Sequence, residues 1–144
     1  MLPMGAPSDV LTDLRRTFGH AWREGDPASV GRFFAFEFEF AEAVLVVEAE
    51  SQFDQLIIHV EDASGKLLCS QFPDGDCLRV DMSSKPWWPE IGGASTGWRW
   101  VLNNQQGYQD GAQLEFHVAG VRRAVIQFVT WASSLRVYLV TEVG

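Results

Sequence analysis

The sequence predicts an α+β domain in which one N-terminal helix packs on a mainly antiparallel sheet of about six to nine short strands. Apolar residues recur at helical spacing between residues 11 and 22, and the apolar period changes to two after residue 33. Turn residues separate the short alternating runs that follow. A chain of 144 residues is the length of one ordinary domain, so we expect residues 1–144 to form a single domain with a flexible leader at 1–7.

The predicted helix begins after Ser8, a good N-cap residue, and ends before Gly25, which suits the C′ position. His20 falls on its polar face. Gly19, inside the helix, costs about 1 kcal/mol relative to alanine, so packing must hold the helix in place. The apolar side chains share one face: Leu11, Leu14, Phe18, Ala21 and Trp22.

A β-hairpin with a phenylalanine face is predicted next. A turn at residues 41–42 pairs Phe38 with Leu45 and Phe36 with Val47. This register places four phenylalanines on one face toward the core: Phe34, Phe36, Phe38 and Phe40. The opposite face carries three carboxylates: Glu37, Glu39 and Glu48. A divalent-ion or acid–base site is one interpretation of these carboxylates, and a solvated sheet face is the favoured one.

Further strands are predicted at 56–61, 67–72, 77–82, 98–104, 112–118, 124–131 and 135–140. A loop centred on Gly107 pairs Trp98 with Phe116 and Trp100 with Leu114, and it sets Arg99 opposite Glu115. The two tryptophans then face the core. Residues 83–97 form a long loop rich in proline, glycine and serine, and such loops are usually functional or disordered.

The net charge of the chain limits which classes of partner we expect. The chain has 19 acidic and 11 basic residues and a formal charge of −8. An acidic chain gains nothing from counterion release on nucleic acid and is repelled by anionic lipid, so we expect neither as a partner. The N-terminus lacks the features of a signal peptide, and the longest aliphatic run, 43–47, is too short to span a membrane. A soluble cytoplasmic protein is therefore expected.

Residues of the types that bind metals or act in catalysis are scattered along the sequence and form no known motif. The three histidines and two cysteines have no metal-ligand spacing, and no Gly-x-Ser-x-Gly elbow is present. A Ser/His/Asp triad assembled from distant residues stays open. The glycines at 92–97 lack the Gly-Lys-Ser/Thr ending of a phosphate loop and precede a strand. We assign no catalytic residue, no metal and no cofactor.

Two segments carry aromatic and amide side chains that no core face accounts for, and we predict that together they form a binding surface. They contribute Trp87, Trp88, Asn104, Gln105, Gln106, Tyr108 and Asp110. Exposed aromatics surrounded by adaptable polar groups are typical of interface hot spots. The alternatives are that the tryptophans fold back as a lid on the core and that the amides cap their own loop.

Two family resemblances are present. The run Trp98-x-Trp100-x-Leu102-x-Asn104-Gln105-Gln106-Gly107-Tyr108-x-Asp110-Gly111-x-Gln113-Leu114-Glu115-Phe116 resembles a family of small bacterial proteins known only as a domain of unknown function. That resemblance implies a compact bacterial domain and no particular activity. More weakly, Phe18-x-x-Ala21-Trp22-x-x-Gly25-Asp26 resembles the first helix of nuclear-transport-factor-like cone folds, which include isomerases and dehydratases.

The favoured function is a small binding module, of immunity- or antitoxin-like kind, with another protein as its partner. The alternative is a small enzyme or ligand binder of the cone-fold class, with its pocket between helix and sheet. The inward-facing residues of the predicted registers are almost entirely apolar, which favours binding over catalysis. The oligomeric state is left open.

Overall fold

The computed structural model describes residues 11–22, 33–50, 55–62, 77–103, 109–131 and 134–140. A single 3₁₀ turn, Met82–Ser84, is the one helical element among these residues. The remaining elements are nine strands: β1 Arg16–Trp22, β2 Phe33–Glu39, β3 Ala43–Glu50, β4 Gln55–Asp62, β5 Cys77–Asp81, β6 Ser95–Asn103, β7 Gln109–Val118, β8 Val121–Trp131 and β9 Ser134–Val140.

The strands form one antiparallel sheet that curls into a half-barrel. Its hydrogen-bonded order is β4-β3-β2-β9-β8-β7-β6, and β1 lies between β2 and β5. The sheet branches at β2, because Phe33 pairs with Leu135 of β9 as well as with Ala21 of β1.

Residues 11–15 connect strands that are far apart in this order. Leu11 and Thr96 form an antiparallel bridge at the start of β6, and the Leu14 amide donates to the Ala94 carbonyl at 2.9 Å. The next amide, of Arg15, donates to the carbonyl of Glu39 at the end of β2 at 2.8 Å. The segment therefore ties the beginning of β6 to the end of β2.

The core fills the inside of the curl and is dominated by phenylalanine. Phe38 lies 5.2 Å from Phe116 and Phe36 lies 5.3 Å from Phe128, measured between ring centroids. All four rings are fully buried. Trp88, from the loop before β6, stacks on Phe36 at 5.6 Å and so covers this aromatic cluster. Aromatic burial of this kind is the main favourable term in the folding of such a sheet.

The predicted N-terminal helix is wrong, and with it the α+β class, because part of that segment forms β1. Asp13 has a φ of 58°, in the left-handed region, which a right-handed helix cannot contain. From Arg16 onward β1 pairs with β2, and from Phe18 onward its other edge pairs with β5. Two ladders outweigh a helical propensity that Thr17, Phe18 and Gly19 already weaken.

The register of the β2–β3 hairpin is confirmed, since Phe36 lies opposite Val47 and Phe38 opposite Leu45. One of the four predicted core phenylalanines is assigned wrongly. A register shift in the β1–β2 ladder places Phe33 in the main core instead of Phe34. The latter belongs to a separate cluster on the other face: Phe34, Ala35, Val44 and Val46.

The β6–β7 hairpin is confirmed, but its predicted register is wrong by one residue. The pairs are Trp98 with Glu115, Arg99 with Leu114 and Trp100 with Gln113. Beside the turn, Asn103 pairs with Gln109, which differs from the predicted pairing by two residues. The irregularity between Leu102 and Asn103 then reduces the difference to one from Leu102 to Trp98. Glu115 thus lies opposite Trp98 in the ladder, and its carboxylate contacts Arg122 at 3.2 Å.

Candidate binding site

The loop before β6 is a series of short hydrogen-bonded turns. Asp81 caps the 3₁₀ turn by accepting from the amide of Ser83 at 2.9 Å and from its hydroxyl at 2.7 Å. Lys85 then donates its amide to Met82 at 3.0 Å, and Trp88 donates its amide to Lys85 at 3.1 Å. These bonds set the direction in which the loop presents its two tryptophans.

The two tryptophans of this loop have different environments. Trp88 is 6% exposed and stacks on Phe36 with an interplanar angle of 10°. Its Nε1 atom is buried and has no hydrogen-bond partner among the described residues. Trp87 is 47% exposed and contacts Trp88 edge to face at 5.8 Å. The lid interpretation is therefore right for Trp88, and Trp87 is the residue available at the surface.

A pocket of about 360 Å³ opens beside this loop, between β1, the 3₁₀ turn and residues 88–92. Its floor is apolar and buried: Leu14, Trp88 and Ile91. Its rim is exposed and carries charges of both signs: Arg15, Arg16, Asp81 and Glu90. An apolar floor with a few polar groups is the usual composition of a ligand pocket, and this volume is at the small end of their range.

The cations of the rim already have anionic partners. Arg16 donates from Nη2 to both carboxylate oxygens of Glu39 at 2.8 Å, and this pairing raises the pKa of Arg16 above its usual value. Arg15 lies 3.6 Å from a carboxylate oxygen of Asp13. Both arginines are thus paired with carboxylates outside the pocket.

The anions of the rim do not have cationic partners at ion-pair distance. The pKa of Asp81 is lowered mainly by the hydrogen bonds from Ser83, so this carboxyl group is ionised at neutral pH. Neither Asp81 nor Glu90 lies within 4.0 Å of a basic group in the part of the chain that the structure describes. The Glu90 carboxylate and the Oδ2 atom of Asp81 are therefore the charged groups of the rim that remain open to a ligand, because Oδ1 of Asp81 accepts both bonds from Ser83. Asp81 is also attracted, beyond ion-pair distance, to Arg16 and Arg79.

A second polar cluster lies on the face of β1, β2 and β5 that is turned away from the main core. His20 bonds to Glu37 through Nε2, and both side chains are buried. Arg79 approaches Glu37 at 3.7 Å and lies over the ring of Phe18 at 3.5 Å. Sequence reasoning placed His20 and Glu37 in solvent. The diagonal arrangement of these two residues across the β1–β2 ladder brings them together instead.

The three carboxylates predicted to share a face each have a separate basic partner. Glu37 pairs with His20, Glu39 with Arg16, and Glu48 with His59 at 2.8 Å. Among the described residues, no group of three histidine, cysteine or acidic side chains is arranged to hold a metal ion. The carboxylates therefore join neighbouring strands through contacts with histidine and arginine side chains. The solvated-face interpretation is right for partly exposed Glu39 and Glu48 and wrong for Glu37.

One known protein family matches most of the chain. A family model described as "Family of unknown function (DUF6334)" matches residues 13–144. The chain belongs to this family. The resemblance to a family of unknown function is thereby confirmed. No curated protein and no solved structure is significantly similar to the chain.

In this DUF6334 chain, the structure describes only the end of the second segment predicted for the binding surface, residues 104–110. Asn104, Gln105, Gln106 and Tyr108 lie outside the described residues, and Asp110 is placed as the second residue of β7. The joint surface of the two segments therefore stays a prediction. No helix in the described part of the chain is long and apolar enough to cross a membrane.

Sequence reasoning found the tryptophan loop of this DUF6334 member but missed the pocket beside it. Arg15 and Arg16 are far from Asp81 in the sequence, and nothing in either segment indicates that they meet. The pairing of β1 with β5 brings them together. The proline- and glycine-rich composition of residues 83–97 was the only available signal.

Proposed function

We propose that this DUF6334 protein is a small protein-binding module whose contact surface consists of the pocket and of Trp87 beside it. The supporting observation is the environment of Trp87. Nearly half of this large aromatic residue is exposed, and its ring rests against Trp88, which is anchored in the core. Tryptophan is among the residues most enriched at interface hot spots.

The tryptophan loop has the properties of a preorganised interface. Trp87 lies between Pro86 and Trp88, and Pro89 follows. Prolines restrict the backbone, and the edge-to-face contact restricts the indole, so less conformational entropy is lost when a partner binds. Because Trp87 is outside the pocket while Trp88 forms its floor, the surface extends beyond a small-molecule site. This favours a macromolecular partner.

We include the amide-rich hairpin tip, residues 104–110, in the proposed surface because of its amino-acid composition. Amide side chains both donate and accept, which suits them to the backbone of a partner. The predicted surface therefore has an aromatic anchor, a pocket and an adaptable polar region. This arrangement resembles a typical paratope.

The enzyme alternative has less support. Its pocket was expected between the N-terminal helix and the sheet, and that segment is a strand here. The buried His20–Glu37 pair is the best acid–base pair among the described residues, but His20 is 0% and Glu37 4% exposed. A substrate needs access to a general acid or base. These side chains instead join β1 to β2.

The proposal is tested with Trp87→Ala and a matched control, Tyr138→Ala, which removes an aromatic side chain of equal exposure, 46% against 47%. Partners captured from the native source are identified by mass spectrometry and their affinities measured with purified proteins. We expect Trp87→Ala to weaken binding by at least about 2 kcal/mol, roughly thirtyfold, with an unchanged thermal melt. Tyr138→Ala should bind like the wild type. Equal binding by wild type and Trp87→Ala would reject the proposed surface.

An immunity- or antitoxin-like role is the narrower form of this proposal. Its support is the small size and the charge of −8, which favour association with a basic protein. In this form, the captured partner inhibits growth when expressed alone, and co-expression of this chain relieves the inhibition. A captured partner that is harmless alone would limit the proposal to protein binding in general.

A further inference from the structure

We infer that the pocket accepts a lysine or arginine side chain of the partner protein. This inference rests on the proposed function and names the chemistry that the same surface recognises. It depends on three features of the pocket: its unpaired charges, its apolar floor and the exposed indole beside it.

The unpaired charges of the rim are negative. Arg16 is held by Glu39 through two contacts at 2.8 Å, and Arg15 is close to Asp13. Asp81 and Glu90, in contrast, have no basic group within 4.0 Å among the described residues. A cationic group entering the pocket therefore gains the Glu90 carboxylate as a partner without displacing an existing ion pair. At Asp81 it adds to the longer-range attraction that this carboxylate already has for Arg16 and Arg79. An anionic group would have to compete with Glu39 or Asp13.

The shape of the pocket matches the two-part chemistry of a long basic side chain. Lysine and arginine have an apolar stem and a charged head, and they bury the stem where the head can stay polar. The stem would lie on the buried floor formed by Leu14, Trp88 and Ile91, and the head would reach the carboxylates of the rim. A volume of about 360 Å³ accommodates one such side chain.

The surroundings of the pocket reinforce this preference. The exposed indole of Trp87 provides a π surface for a second cation, and tryptophan is the best aromatic partner for lysine and arginine. The charge of −8 steers a basic partner toward the chain and repels an acidic one. Local and global electrostatics therefore favour the same class of ligand.

The experiment uses three blocked alanine pentapeptides with a central arginine, leucine or glutamate. Each is titrated into the full-length ¹⁵N-labelled chain. We expect the arginine peptide to shift the amide resonances of Ser83 and Gly92 and the indole resonance of Trp88. It should bind about tenfold more tightly than the leucine peptide, and added salt should weaken it.

Two variants locate the charges responsible. Glu90→Gln removes a rim carboxylate that has no hydrogen bond or ion pair to another described residue, so the variant should fold normally. Asp81→Asn removes the second carboxylate, and its thermal melt shows whether the 3₁₀ turn survives. Each should weaken the arginine peptide severalfold. Glu61→Gln, on β4 and away from the pocket, changes the net charge equally and serves as the control.

The possible outcomes separate this inference from the proposed function. Tighter binding of the glutamate peptide would overturn it and assign the pocket to a carboxylate held by Arg15. Equal shifts from all three peptides, or no shifts at the pocket, would also overturn it. In these cases capture of a partner through Trp87 would still stand. If the arginine peptide binds but Trp87→Ala leaves capture unchanged, the pocket preference holds and the proposed interface fails.

Discussion

Gly19 lies at the point where β1 passes closest to the side chains of the core. A Cβ atom at this position would be 2.6 Å from the ring of Phe33 and 2.9 Å from the sulfur of Met82. Real Cβ contacts are longer, so any larger residue forces the core to move. Sequence reasoning treated this glycine as a cost to a helix. In the sheet it is required by close packing.

We predict that Gly19→Ala lowers the free energy of unfolding by about 1–3 kcal/mol, because the added methyl group overpacks the core. Gly92→Ala is the matched control, since a Cβ there meets nothing within 4 Å. Urea denaturation of both variants measures the difference. Equal stability of the two would show that β1 does not pack against Phe33 as described.

The buried pair of His20 and Glu37 gives a second prediction at this scale. Glu37→Ala removes the buried hydrogen-bond partner of His20 Nε2 and should cost about 1–3 kcal/mol of stability. Glu48→Ala breaks the equivalent contact with His59, whose side chain is 32% exposed, and should cost no more than about 1 kcal/mol. Chemical denaturation ranks the two variants, and a reversed order would contradict the burial of the first pair.

At the scale of elements, hydrogen bonds from side chains tie irregular segments to the strands. The hydroxyl and the amide of Thr12 both donate to Glu42 in the β2–β3 turn. These bonds lower the pKa of Glu42 below its ordinary value of 4.5. The turn is thereby joined to the segment that precedes β1.

This tie predicts a pH dependence. A carboxyl group whose pKa is lower in the folded than in the unfolded chain stabilises the fold above about pH 4.5. The contribution disappears as the pH falls through the folded-state pKa. Glu42→Gln should therefore be less stable than the wild type at pH 7, and the difference should shrink below about pH 4.5. Thermal melts across this range measure it, with Glu90→Gln as the control. A difference that does not vary with pH would refute the bond.

At the scale of the whole molecule, residues 11–15 complete the fold by linking strands that the sheet itself does not join. The amides of Leu11 and Leu14 bond to the start of β6, and the amide of Arg15 bonds to the end of β2. Leu11 and Leu14 also belong to the main core. The segment is irregular in conformation, yet we expect it to unfold together with the strands.

Native-state hydrogen exchange tests this role. We expect the amides of Leu14 and Arg15 to be protected to nearly the same degree as that of Phe36 in the middle of β2, because their release requires the sheet to open. The amide of Thr12 donates to the exposed side chain of Glu42 and should exchange faster. Rapid exchange at Leu14 and Arg15 would show that the segment detaches independently.

The features predicted correctly from the sequence are those that depend on neighbouring residues. Alternation and a two-residue turn were sufficient for the pairing of Phe36 with Val47. Family membership was also recognised from local motifs. In the candidate site, Trp87 and the loop that carries it were identified from composition alone.

Only the tertiary structure decided the features that depend on distant residues. The segment containing Gly19 has both helical and strand patterns, and hydrogen bonding to β2 and β5 selects the strand. The same pairing buries His20 against Glu37 and brings Arg16 to the pocket that Asp81 also lines. The two ladders of β1 form backbone hydrogen bonds along both of its edges. Their combined contribution to stability is larger than the small differences in helix and strand propensity that a sequence reveals.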